Sequence, residues 1–189
     1  GVQTCALPIS ALNSDQVQSL TTAQVRSLET ADIRAISTGA LDGLTSAQVA
    51  ALTTDGVQAL TTAQIASLST VQVAGFSTAD MIALKSSQVA AFTTADVASF
   101  STAQVQAIES DDLRAMGAAQ LQSLSNAHLA ALTTGQLTGL LAKVSVLTTD
   151  QIQNLGTGQL NAFTTSQFSL MSTAQIASLD RKSTRLNSS

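Results

Sequence analysis

The chain has 189 residues and a net charge of −4, with 44% apolar and only 11% charged residues, no Trp or Tyr, and a single Cys, Pro and His. A sparse, mildly acidic surface argues against electrostatic capture of nucleic acid or anionic membrane, and no run of 18 apolar residues is present to span a bilayer. With no cysteine pair and no second histidine, a zinc or haem site lacks a ligand set.

Gly1–Ile9 (GVQTCALPI) shows no pattern, and neither does Asp180–Ser189 (DRKSTRLNSS). The two ends resemble the translation of a sequencing-library adapter and of its reverse complement. That resemblance implies an assembly artefact at each terminus, to be set aside in fold reasoning like a tag. The remaining tract, 10–179, contains neither Cys5 nor Pro8 and carries five basic and eleven acidic residues, net −6.

From Asn13 to Leu179 one eight-residue phrase recurs, in its plainest form Thr-Thr-Ala-Gln-Ile-Ala-Ser-Leu at Thr61–Leu68. Position eight is a large apolar residue throughout (Leu20, Leu28, Ile36 and onward to Leu140), and position five is its partner (Val17, Val25, Ile33 and onward to Leu137). One residue is then lost in Leu141–Leu147, after which Ile152/Leu155, Leu160/Phe163, Phe168/Met171 and Ile176/Leu179 resume the register. A period this strict is a fold signal. Positions one and two are mostly Ser or Thr, position four is mostly Gln or Asp, and positions three and seven are small. Position six admits Gln18, Arg26, Asp42, Ala50 and Ile82 alike, which marks it as facing water.

The spacing of three between positions five and eight places both on one face of a helical turn, whereas a strand would split them between its faces. Ser/Thr-x-x-Gln ahead of them is a capping box. A continuous helix is excluded, because eight residues advance about 800° and the apolar pair would drift by roughly 80° per repeat. The sequence therefore predicts an all-α solenoid of very short helices, about two turns each, one per octad and separated by tight corners. Small residues at positions three and seven let neighbours approach. Asp32, Asp80, Asp96 and Asp112 fall in alternate octads, which suggests a 16-residue helical hairpin as the unit. The alternative is a β-solenoid of three octads per coil with ladders of Thr. Against it, its corners would need Gly or Asn where Thr stands.

Candidate chemistry is thin. His128 replaces Gln at position four and reads as a polar first-turn residue near the surface. Glu109, Asp111 and Asp112 read as a solvated helix start, with a weak cation site as the sharper reading. Gly135/Gly139 and Gly156/Gly158 lack the strand and Gly-Lys-Ser/Thr ending of a phosphate loop, and are expected to relax the stack. The slip at Leu141–Leu147 predicts a bend or an altered helix. No catalytic, cofactor or metal residue emerges. Arg26, Arg34 and Arg114 share position six and are the candidates for a partner-facing ridge.

The phrases Thr45–Leu52 and Thr93–Phe100 resemble the octapeptide tracts of very large bacterial exoproteins labelled haem utilisation or adhesion proteins. That resemblance implies a secreted or cell-surface location and an adhesive or spacing role. It brings no haem chemistry to a tract with one His. One octad also resembles the start of TAL-effector DNA-binding repeats, whose far longer, basic repeat sets them apart. The expected function is a non-enzymatic spacer or stalk flanked by further repeats of a longer parent chain. The alternatives are a protein-binding solenoid using the variable outer positions and a Thr-array ice or surface binder, which requires strands.

Overall fold

A computed structural model describes residues 9–186, apart from the side chains at 141, 142 and 180–186. Twenty short α-helices, from Ser14–Gln18 to Thr173–Leu186, and two 3₁₀ segments, Ile9–Ala11 and Leu141–Val146, follow one another without a strand among the described residues. The β-solenoid alternative is therefore not the fold, and a Thr array built on strands loses its basis.

Most octads make their helix in the same way, those that begin with Glu29, Lys85, Glu109, Gly117 or Gly156 lacking the hydroxyl cap. Thr61 is extended (φ −75°, ψ 160°) and its hydroxyl accepts from the Gln64 N–H at 3.2 Å, while Gln64 Oε1 accepts from the Thr61 N–H at 2.7 Å. Two of the N-terminal donors that a helix leaves orphaned are thus satisfied within four residues. Helix Thr62–Ser67 follows, and Leu68 returns to extended backbone (φ −63°, ψ 142°). Position one is the cap. Positions eight and one together are the corner.

Each helix packs on the third helix along the chain: Thr54–Ala59 lies between Thr30–Ala35 and Thr78–Ala83, and Ser110–Ala115 lies between Ser86–Val89 and Thr134–Gly139. Three octads therefore make one coil, and the 16-residue hairpin suggested by the aspartates is not formed. Two octads alone cannot bring a helix back over its own start, because each corner turns the chain only part of the way round.

Positions five and eight fill the axis of the coils. Val57, Ile65, Val73, Met81, Val89, Val97 and Val105 are fully buried. Phe76, Phe92 and Phe100, all at position eight, meet edge to face with centroids 6.0 and 5.2 Å apart. Each such side chain contributes roughly 1.5–3 kcal/mol by leaving water, which is how a two-turn helix persists.

Position seven sets how closely coils approach. A Cβ on Gly43 would stand 2.0 Å from the Ser14 carbonyl oxygen, on Gly75 2.3 Å from that of Ser46, and on Gly139 2.6 Å from Ser110 Cβ. In all three cases position seven meets position two of the octad one coil below. Gly139 is thus a tight contact rather than a relaxed one, while an added Cβ at Gly135 or Gly158 meets nothing closer than 3.9 Å. The expectation of close approach holds at these three glycines.

At the slip the helix type changes. Leu140 stays helical (φ −62°, ψ −23°), the preceding corner disappears, and Leu141–Val146 winds as 3₁₀. Six residues rising about 2.0 Å each instead of about 1.5 Å gain about 3 Å, close to the length of the one extended residue that is missing. Val144 and Leu147 keep their buried places. The last helix runs through Asp180 to Leu186, since Asp180-Arg181 stands directly after Leu179 where other octads begin with Ser/Thr-Thr. The adapter-like Gly1–Pro8 and residues 187–189 lie outside the described residues, as does Cys5.

Candidate functional site

The one buried polar feature that recurs from coil to coil is position four. Gln64 is 2% exposed. Its Oε1 holds its own cap, and its Nε2 donates to the carbonyls of Ile33 and Ile36 at 2.7 and 2.8 Å. Those are positions five and eight of the octad four earlier, at the corner one coil below. Gln72 does the same to Leu41 and Leu44 (2.7 and 2.8 Å), Gln88 to Val57 and Leu60 (2.8 Å each), and Gln104 to Val73 and Phe76 (3.0 Å each). Gln48, Gln120, Gln136, Gln151, Gln159 and Gln175 repeat the arrangement. One amide thus caps the start of its own helix and the end of another. It is a rivet through the corners, made of a primary amide, which accepts at its oxygen and donates twice from its nitrogen.

The exceptions obey the same logic. His128 is 5% exposed, not surface-lying: Nδ1 is 3.3 Å from the Ser125 nitrogen and Nε2 is 2.7 Å from the Phe100 carbonyl oxygen. With Nδ1 accepting and Nε2–H donating, the imidazole copies the glutamine, but its single donor serves Phe100 and leaves out Val97. At the slip the Lys143 ammonium donates to the Met116 carbonyl, the position-eight acceptor a glutamine would take. Gln167 donates to Leu137 (3.0 Å) and not to Leu140, whose carbonyl already accepts from the Lys143 N–H.

Aspartate can do only half of this work. Asp80 and Asp96 accept from the N–H and hydroxyl of Ser77 and Thr93, but a carboxylate has nothing to donate to Leu52 and Leu68 below. Asp112, read above as solvated, is 5% exposed and accepts from Ser86 Oγ at 2.6 Å; Glu109 and Asp111 remain exposed. No group of three or more His, Cys, Asp or Glu among the described residues is placed to hold a metal ion.

A family model for the ALTTAQ repeat matches residues 25–62, 57–86, 73–107, 105–141 and 144–181. The chain belongs to the ALTTAQ repeat family. No curated protein and no solved structure matches it.

In this ALTTAQ repeat chain the three candidate arginines do not converge. Arg26 and Arg34 are exposed, and Arg114 is half-buried and paired with Asp111. Their helices pack in three different stacks, on Ser46–Val49, on Thr54–Ala59, and between Ser86–Val89 and Thr134–Gly139. Position six is otherwise exposed, apart from half-buried Thr138 and Gln153, and some of it serves the stack. Gln106 and Gln122 donate to the carbonyls of Ala131 and Val146 in the coil above, at 2.8 and 2.9 Å. The buried role of position four escaped sequence reasoning, although one signal pointed to it. Position four never holds Glu, which would complete a capping box as well as Gln does. The amide is needed for its donor.

Proposed function

We propose that this ALTTAQ repeat tract is a spacer or stalk in a secreted or surface-exposed, adhesin-like bacterial protein, acting mechanically rather than as an enzyme. The observation that carries the reading is the rivet. Its polar groups are consumed in joining each corner to the corner one coil below, so octads add length while repeating one interface. No helix among the described residues is long and apolar enough to cross a membrane.

Two measurements test this. Duplicating 61–84, one coil, should leave a folded helical protein whose unfolding midpoint rises. A fall in midpoint or loss of helical signal defeats the mechanical reading. Antibody against the tract should label intact cells expressing the parent protein, and protease added outside should remove the label. Labelling only after lysis defeats the surface assignment.

A further inference from the structure

One of the three sides of the solenoid differs in charge from the other two. Helices Ser46–Val49, Thr70–Val73, Thr94–Ser99 and Ala118–Ser123 stack on one another in that order. Their exposed positions three and six hold Ala47, Ala50, Val71, Ala74, Ala95 and Ala98. Val71, at 68% exposure, is the most exposed large apolar side chain among the described residues. The one charged residue in these four octads, Asp96, is buried at 1% exposure. Exposed acidic residues stand on the other two sides. Asp42, Glu109 and Asp111 belong to the stack that contains Thr62–Ser67, and Glu29, Asp55 and Asp150 to the stack that contains Thr54–Ala59.

We propose that this uncharged side is an interface, and that its occupant is the same side of a second copy of the chain. Charge selects both the side and the partner. With a net charge of −4, two copies repel wherever their acidic sides meet. Only pairing through the side that carries Val71 turns every exposed acid of both copies away from the contact. An interface core is poor in charge, as this side is. The area suffices. Four helices about 9.5 Å apart cover about 38 Å of the stack. The helical and corner residues of one octad span about 15 Å across it. The product is about 570 Å² on each copy and about 1,100 Å² in all, above the roughly 1,000 Å² that a specific interface needs. Side chains no larger than valine let the two helical faces approach closely. Because the same patch serves both copies, the contact is two-fold and closes on itself, so association stops at a dimer.

The test is sedimentation velocity on the full chain from micromolar to millimolar concentration, with two double variants whose folding is checked by circular dichroism. Val71→Asp/Ala95→Asp places two charges on the uncharged side. Ala63→Asp/Ser87→Asp places the same two charges at the same octad position on an acidic side. Position three already holds Asp15, Asp55, Asp111 and Asp150 in other octads, so the helices tolerate the change. The unaltered chain should pass from monomer to dimer and level off there. Val71→Asp/Ala95→Asp should associate at least about tenfold more weakly, and Ala63→Asp/Ser87→Asp within about threefold of the parent. The proposal is overturned if the unaltered chain stays monomeric, if its mass climbs past a dimer without a plateau, or if the two variants weaken association alike.

Discussion

Replacing Gln64 by Glu isolates the rivet with almost no change in shape. The carboxylate still accepts from the Thr61 N–H, so the cap survives. The donations to Ile33 and Ile36, at 2.7 and 2.8 Å, are lost, and an acceptor now faces two acceptors in a site only 2% exposed. Losing two hydrogen bonds costs about 0.5–1.5 kcal/mol each, and leaving buried carbonyls without a donor adds about 1–3 kcal/mol. A buried charge without a partner adds more, so the loss should reach about 3–5 kcal/mol. Gln24→Glu is the matched control, since Gln24 is exposed and caps its helix without reaching another coil. It should change stability by less than about 0.5 kcal/mol. Urea unfolding followed by far-ultraviolet circular dichroism measures both. Equal midpoints for the two variants would refute the assignment of position four as the joint between coils.

Four further outcomes follow from the same geometry. Asp96→Gln should raise the unfolding midpoint, because it supplies the absent donor to Ile65 and Leu68 and removes a buried carboxylate, a gain of about 1–3 kcal/mol. His128→Gln should stabilise by about 0.5–1.5 kcal/mol through the added bond to the Val97 carbonyl, and His128→Ala should destabilise, both read by thermal melting. Gly56→Gln should stabilise by at least about 1 kcal/mol, since it replaces a glycine inside a helix and restores the rivet over Val25 and Leu28, with only the Thr53 hydroxyl close to the new Cβ at 3.3 Å. Gly75→Ala should destabilise, its Cβ falling 2.3 Å from the Ser46 carbonyl oxygen, whereas Gly158→Ala should stabilise by up to about 1 kcal/mol because nothing stands within 4 Å.

The helices were legible because their causes are local. A Thr at position one, a Gln three residues later and an apolar pair three apart define cap, first turn and buried face without reference to any other octad. The coil was not legible, because its cause lies 28 to 31 residues away. Nothing within Thr61–Leu68 shows that Gln64 will meet Ile33 and Ile36. The alternating aspartates misled for a related reason. Asp80 and Asp96 keep the local cap and forfeit the distant bond, and Asp112 accepts from Ser86 Oγ in place of its own cap, so their spacing reports where a rivet is missing and not how many octads form a unit. His128 was misread because a polar residue in a first turn is usually solvated, and only the coil below makes that place an interior one.

The slip shows which constraint governs the chain. Deleting one residue shortens the path from Gln151 to Leu121 and Leu124 to separations of 30 and 27, yet Gln175 beyond the slip meets Val144 and Leu147 at the interior values of 31 and 28. The sequence register was sacrificed and the spatial register kept, by winding six residues as 3₁₀ and by letting Lys143 stand in for the lost glutamine. A fold built on sequence-adjacent contacts would have carried the shift forward to its end. Here each octad waits for the fourth after it to close its carbonyls, so an error is absorbed within the coil where it arises. That is the property a stalk needs if its length is to change by gain or loss of repeats: each coil is finished by the next, and every added coil presents the same unfinished upper face.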